Sequence, residues 1–543
     1  MIKIMKKIKI FTLALSLVFL GITQSCTDGF EEMNRNPFEP TQASIPTVFN
    51  SITSNLMLGW MEQNSIHNGY YYFVNQQLAN SAPRYILAQG VDEIWNSYFL
   101  MLKNVRWLEN ELDNSSVKTD NVRACLNILL AYKTLRTADY VGDMPFSKAG
   151  KGASGSDNFR VAYDKHQDIY KYCLDLLKTA SESFKSDADQ LSLGTGDVLF
   201  KNDYNMWKKF ANSIRLRYAM QIAEVDNAQA TAHISNILGD ATKYPLITGS
   251  ETIGMWPKKL SNLIIESRPW SFSAENLTCM GSTIWSWMSE NNNTDGSGIF
   301  DPRCKVYFET NGANEWKPQL QNGANPVQGR GAYINSSYPN GRDRGQTMQD
   351  WSNKGNSCYY SSVNYYLTRD DAYLPEIIMT VAEVAFLKAE AYNRGIGVAK
   401  NAALAKSEYE NGIRSSINFW YSLVDLCEGT STWSINKPVL GSSDIDNYLA
   451  NAKVAYKNSE ADALKQIYAQ LWLDSFRQPW VAFNLYRRTL ATPHDESGSY
   501  SAEQNKFYKV PYPESEKNYN NENFTDALGG KTNTPDNKLF WHK

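Results

Sequence analysis

Along much of the chain apolar residues return at intervals of three and four, the repeat of an α-helix with one buried face. In "DEIWNSYFLMLKNVRWLENEL" the repeat runs through Ile94, Tyr98, Met101, Val105, Leu108 and Leu112. The stretch that follows, "NVRACLNILLAYKTLRTADYVGD", predicts a second helix that stops near Gly142 and Pro145. In "YDKHQDIYKYCLDLLKTASESF" Asp164 reads as an N-cap with Gln167 three residues on, the spacing of a capping box. The buried face of that helix is expected to hold Ile169, Tyr172, Cys173, Leu176, Leu177, Ala180 and Phe184. A further helix is predicted in "DYNMWKKFANSIRLRYAMQIAEVD", with Trp207, Phe210, Ile214, Tyr218 and Ile222 in register.

From about Asp240 to Pro375 the helical period fades and Gly, Asn, Pro and Ser become frequent. Long irregular connections of this kind usually carry function. Helices resume in "EIIMTVAEVAFLKAEAYNRG" and "NAALAKSEYENGIRSSINFW". This pair looks like a tetratricopeptide unit: Ala405 and Tyr409 fit the second helix, although the connecting loop is longer than the 34-residue repeat allows. Another pair is expected in "ADALKQIYAQLWLDSFRQ" and "PWVAFNLYRRT". The expected fold is mainly α, a tetratricopeptide-like scaffold of helical pairs at about 44–240 and 376–490. A loop-rich irregular insertion at about 241–375 interrupts it.

The first residues obey a different rule. Lys3, Lys6, Lys7 and Lys9 precede a mostly apolar run from Ile10 to Ile22, followed by Ser25, Cys26 and the acidic Asp28, Glu31 and Glu32. The run is of signal-peptide size and shorter than the about 20 residues a spanning helix needs. An ordinary signal peptide is one reading of residues 1–25. The other is a lipoprotein signal with Cys26 acylated, since the stretch resembles a bacterial lipobox, of the looser kind with Thr23 and Gln24. Acyl chains on Cys26 would anchor residues 26–543 to a membrane, each buried methylene contributing about 0.8 kcal/mol. No later stretch is long and apolar enough to span a bilayer as a helix.

Net charge and cysteine spacing narrow the chemistry. A net charge of −3 over 543 residues argues against a nucleic-acid partner, which calls for a basic footprint. Besides Cys26, the cysteines Cys125, Cys173, Cys279, Cys304, Cys358 and Cys427 show no CxxC pair, so neither a zinc site nor a thioredoxin-like motif is supported. Cys125 and Cys173 fall on apolar helix faces and are expected to be buried free thiols. The segment 291–302, "NNNTDGSGIFDP", puts Asn291, Asn293, Asp295 and Gly296 where a calcium loop has them, but Pro302 stands where the bidentate Glu belongs. A plain Asn/Gly turn is the expected reading. The five histidines are dispersed, with no HExxH, GxSxG or phosphate-binding glycine loop, so no cofactor, metal or catalytic group is expected.

The order of segments resembles the SusD/RagB family of outer-membrane nutrient-binding lipoproteins from Bacteroidota. The matching stretches include "CTDGFEEMNRNPFEPT", "ADYVGDMPFSKA", "MWKKFANSIRLRYAMQIA", "FDPRCKVYFE", "LPEIIMTVAEVAFLKAEAYNRG", "QLWLDSFRQPWVAFNLYRRT", "VPYPESEKNYNNENF" and "LFWHK". "NRNPFEPT" and "VAEVAFLKAEA" are closer to the SusD-like branch without an assigned substrate. The resemblance implies a tetratricopeptide-like α domain, exposure at the cell surface, and a SusC-like TonB-dependent outer-membrane barrel as partner. It implies capture of a glycan without catalysis. Peptide cargo is the alternative within the same role, and a surface glycoside hydrolase is a third reading.

Aromatic residues make up 13% of the chain, and many stand among Asn, Gly and Ser rather than at helical spacing. A sugar offers C–H faces and edge hydroxyls. A Trp or Tyr ring suits the face, while amide and guanidinium groups suit the hydroxyls. The expected ligand contacts are Tyr70, Tyr71, Trp270, Trp316, Tyr333, Trp351 and Tyr359, of which two or three touch ligand and the others pack loops. Arg268, Arg330, Arg342 and Arg344 stand near them in sequence.

Overall fold

A computed structural model of the chain describes residues 43–79, 87–152, 155, 159–256, 279–311, 315–321, 360–361, 363–364, 375–426, 437–495 and 506–543. The fold is mainly α. Its N-terminal half runs through α1 (Ile45–Ser54), a π-helix (Glu62–Tyr71), α2 (Leu87–Asp113), α3 (Asp120–Val141), α4 (His166–Ser183), α5 (Tyr204–Gln221) and α6 (Asn227–Gly239). The other half has α7 (Ser282–Met288), α8 (Val381–Arg394), α9 (Ala402–Asp425), α10 (Asp444–Ala450), α11 (Glu460–Asp474), α12 (Pro479–Thr489), α13 (Glu514–Tyr519) and α14 (Asn521–Leu528). Two small antiparallel ribbons tie distant parts together. One joins β1 (Leu78–Ala79) to β3 (Cys279–Met280), and the other joins β2 (Ile253–Met255) to β4 (Glu376–Met379).

Successive helices pack side by side: α3 on α4, α4 on α5, α5 on α6, and α8 on both α9 and α11. The predicted faces of α2 and α5 are buried as expected. Helix α3 is buried along almost its whole length, so it forms the axis of the N-terminal half. It ends where Gly142 turns to φ +88°, a conformation that costs a residue without a Cβ little. The chain's last residues close over this end: Val510 N–H donates to the Tyr140 carbonyl at 2.7 Å. The Trp541 indole donates to Asp139 at 3.2 Å.

Four sequence expectations change. Asp164 does not cap α4, because its carboxylate already accepts from the Phe146 and Ser147 N–H groups. The first N–H of α4, on His166, donates instead to Asp143 at 2.9 Å. On the same helix Tyr172, expected on the buried face, is half exposed, and Tyr170 is buried instead. "EIIM" is strand β4, and α8 begins only after Thr380, whose side chain accepts from Glu383 N–H.

The fourth change concerns "HNGYYYFVNQQ", where Tyr70 and Tyr71 stand beside Asn and Gly rather than at an evident helical spacing. It lies in or just after the buried π-helix. Glu62 and His67 find partners inside the fold rather than water, whereas the buried side chains of Asn64 and Ser65 have none among the described residues. Glu62 pairs with Arg136 at 2.7 Å, and His67 shares a hydrogen bond with Tyr140 at 2.6 Å. Gly90 on α2 allows the close approach, since a Cβ there would stand 2.8 Å from Ile66. Burial opposes ionisation of Glu62, but Arg136 and Lys133 outweigh it and hold the carboxyl down to about 2. Glu376, which accepts the Leu58 N–H, is pushed up to about 7 by burial.

Cys125, Cys173, Cys279 and Cys304 are buried free thiols, the state expected of the first two. Cys26, Cys358 and Cys427 lie outside the described residues. Among the described residues no helix is long and apolar enough to cross a membrane.

Candidate functional site

The α8–α9 pair is the unit predicted to be tetratricopeptide-like, and a groove of about 800 Å³ runs along it. Ala405 and Tyr409 of α9 are buried as that unit requires. The helices meet closely at Gly412, where a Cβ would stand 2.5 Å from the Phe386 ring. Val381, Val384, Ala385 and Lys388 of α8 form one wall. They follow the i, i+3, i+4, i+7 spacing that puts side chains on one face. Glu408, Asn411, Ser415, Asn418 and Ser422 line the α9 wall at the same three- and four-residue intervals.

The third wall is the segment 247–256. It is brought over the helices by the β2–β4 ribbon, in which Met255 pairs with Glu376. Gly254 is needed there, since a Cβ would be 2.8 Å from the Glu376 carbonyl oxygen. The loop ahead of β2 is fixed by Glu251, which accepts from Thr248 N–H at 2.9 Å and pairs with Lys209 at 2.5 Å. Trp256, directly after β2, is half-buried and meets Phe419 edge to face, ring centroids 6.5 Å apart. The groove therefore has an apolar floor, an aromatic end and a hydrogen-bonding rim. That set of surfaces suits a ligand with C–H faces and hydroxyl edges, and its volume is in the range of small-molecule pockets.

The predicted contact residues are placed as follows. Tyr71 is buried, its ring stacked on Phe483 at 4.3 Å, and so is part of the core. Tyr70 stacks on Phe507 at 4.4 Å and is half-buried. Trp316 lies over the 291–299 loop: its backbone N–H donates to the Thr294 carbonyl at 2.8 Å, and its ring is near-parallel to Trp285 at 6.2 Å. Trp270, Tyr333, Trp351 and Tyr359 lie outside the described residues, as do Arg268, Arg330, Arg342 and Arg344. Of the calcium-loop candidates, Asn291 and Asp295 turn their side-chain oxygens onto the N–H groups of Asn293 and Ser297, at 2.9 and 2.8 Å. Such Asx turns need no ion.

Trp256 and Phe419 were missed. Phe419 adjoins the fully buried Trp420 in a helix and reads as core; Trp256 stands in "GMWPKK" with no periodic context. The polar row on α9 reads as a solvated helix face. Its one signal is the absence of like-charged blocks, with amides and hydroxyls where exposed helices usually carry Lys and Glu.

The chain belongs to a SusD-like family, described as starch-binding and associating with the outer membrane, whose model matches residues 37–513. Among solved structures it is similar to a chitin-binding protein, with 20% identity, a TM-score of 0.69, and 92% of this chain and 100% of that one covered. A SusD homolog from Parabacteroides distasonis gives 20% identity, a TM-score of 0.66 and coverage of 92% and 98%. A chitin-binding SusD homolog from Flavobacterium johnsoniae gives 20%, 0.62, and 91% and 97%. These likenesses establish the shared fold. No match is found among curated protein sequences.

Proposed function

We propose that the chain is a lipid-anchored protein of the outer-membrane surface that captures a glycan and passes it, chemically unchanged, to a SusC-like TonB-dependent barrel. The observation that carries this reading is the groove on α8 and α9, with Trp256 and Phe419 at one end and a row of amides and hydroxyls along its rim. Family membership supports it, as do the starch named in the family's description and the chitin named for two similar structures. The signal-like residues 1–25 and Cys26 supply the anchor.

The partnership is tested by tagging the chain and solubilising the outer membrane in detergent. A TonB-dependent barrel is expected to co-purify, and a Cys26→Ala chain is expected in the soluble fraction. Recovery of a bound oligosaccharide at its original length fits capture. Shortened products would move the reading to a glycoside hydrolase, and heat from peptides with none from glycans would move the cargo to peptide.

A further inference from the structure

Several polar side chains in one part of the core have hydrogen-bonding atoms left unmet. Among the described residues, Tyr132 Oη, Arg136 Nε, Arg217 Nη1, Gln221 Nε2 and Trp480 Nε1 have no hydrogen-bond partner. None of these residues is more than 7% exposed. Tyr132 and Arg136 stand one turn apart on α3, as do Arg217 and Gln221 on α5. Helices α3 and α5 pack together, and the Tyr132 hydroxyl lies within electrostatic reach of both guanidiniums. The Trp480 ring covers Arg136, whose guanidinium carbon is 4.8 Å from its centroid. Two residues before Trp480, Gln478 donates to the Ile378 carbonyl at 3.0 Å, and Arg217 donates to the same oxygen at 2.8 Å. The unmet groups therefore gather where α3, α5, β4 and the start of α12 meet.

Their chemistry is one-sided. The Arg136, Arg217 and Trp480 nitrogens can only donate, and the Gln221 nitrogen donates too. A buried water would accept two of these hydrogens but bring two of its own, with the Tyr132 oxygen as the one acceptor in the set. The charge is one-sided as well. Arg136 pairs with Glu62 and Arg217 with Glu383. Lys133, buried beside Tyr132, donates to Ser97 at 3.2 Å and has no ion-pair partner among the described residues. Glu376, the further carboxyl within reach of Arg136 and Lys133, keeps its proton up to about 7. Buried donors and a buried positive excess are both costly when unmet, and an ion that accepts every hydrogen answers both.

The geometry points to a buried anion site: a chloride-sized ion held by Arg136, Arg217, Gln221 and Trp480, with the Tyr132 hydroxyl donating to it as well. The ion joins two helices of the N-terminal half to α12 and to β4, the strand that positions the third wall of the groove. It is separate from any cargo taken in the groove.

Melting the full chain in sodium chloride and in sodium gluconate, at equal ionic strength, tests this, because gluconate is too large for such a site. The parent is expected to melt about 3 °C or more higher in chloride, with the gap widening as concentration rises. Trp480→Phe keeps a ring over Arg136 and removes the N–H, and Gln221→Leu removes the amide at similar volume. Each is expected to lose about half of the chloride gap or more. Crystals of the parent soaked in sodium bromide locate the ion without any variant. One anomalous peak is expected in contact with Arg217 Nη1 and Trp480 Nε1. Ordered water there in place of bromide would overturn the inference, as would equal melting in the two salts. A chloride gap that both variants keep in full would place the ion elsewhere and overturn it too.

Discussion

Among the described residues, Arg303 is the most heavily bonded buried side chain. It is fully buried and donates to both Asp301 oxygens, to Ser416, to Gln470 and to Tyr448, at 2.7 to 3.0 Å. These partners come from α9, α10 and α11, so one guanidinium ties three helices to the segment before Cys304. Arg303→Ala leaves Asp301 buried without its cation and is expected to cost about 3–5 kcal/mol in urea unfolding. A loss under 1 kcal/mol would mean that the network contributes little. Glu376 gives the opposite sign. In the folded chain its carboxyl keeps its proton up to about 7, whereas the ordinary value is 4.5. The folded state thus binds more protons in that window, so stability falls as pH rises through it. Arg136, Glu62 and Lys133 face the same carboxyl, and they are equally present in a Glu376→Gln chain. That chain is expected to match the parent in unfolding free energy at pH 5 and exceed it at pH 8 by up to about 3 kcal/mol, with a higher melting temperature at pH 8 only. Equal melting at both pH values would show that Glu376 is ionised or solvated throughout.

The elements differ in how well the sequence announces them. Where a helix has one face in water, as α2 does, the period of its apolar residues marks the face correctly down to the residue. Near Tyr170 and Tyr172 the rule weakens. Both are amphipathic, and only the neighbours decide which is covered: Asp139 accepts the Tyr170 hydroxyl, whereas Tyr172 keeps to the surface beside Phe146. The π-helix and β4 are tertiary products. Glu62 and His67 are held inside because α3 supplies Arg136 and Tyr140, and β4 pairs with a strand more than a hundred residues earlier. The groove has the same origin, since its walls are α8, α9 and a loop from position 247 onward. No local pattern distinguishes a helix face against a groove from one against solvent. Gly412 decides whether the α8–α9 walls keep their spacing. Gly412→Ala would force the Phe386 ring to move and is expected to destabilise by about 1–3 kcal/mol. Ligand affinity should fall further than the melting temperature alone accounts for. Unchanged melting and unchanged binding would show that the helix pair has slack at this crossing.

At the scale of the whole molecule, the ends of the chain complete the core. Trp541 and Asn484 share Asp139 with Tyr170, so the last residues, α12, α3 and α4 meet on a single carboxylate. The class of protein was legible from the order of weak segments along nearly the full length. Of the expected contact residues, Tyr71 is core and Trp316 packs a loop, as rings in loop-like sequence can, while Trp270, Tyr333, Trp351 and Tyr359 lie outside the described residues. Capture of a sugar in the groove is tested most directly by titrating maltotetraose, cellotetraose and chitotetraose into the full chain and into its Trp256→Ala variant. Binding to the parent with Kd raised at least about tenfold in the variant, at unchanged melting temperature, is the expected result. Binding of equal strength in both would place the sugar elsewhere and contradict the assignment of the groove.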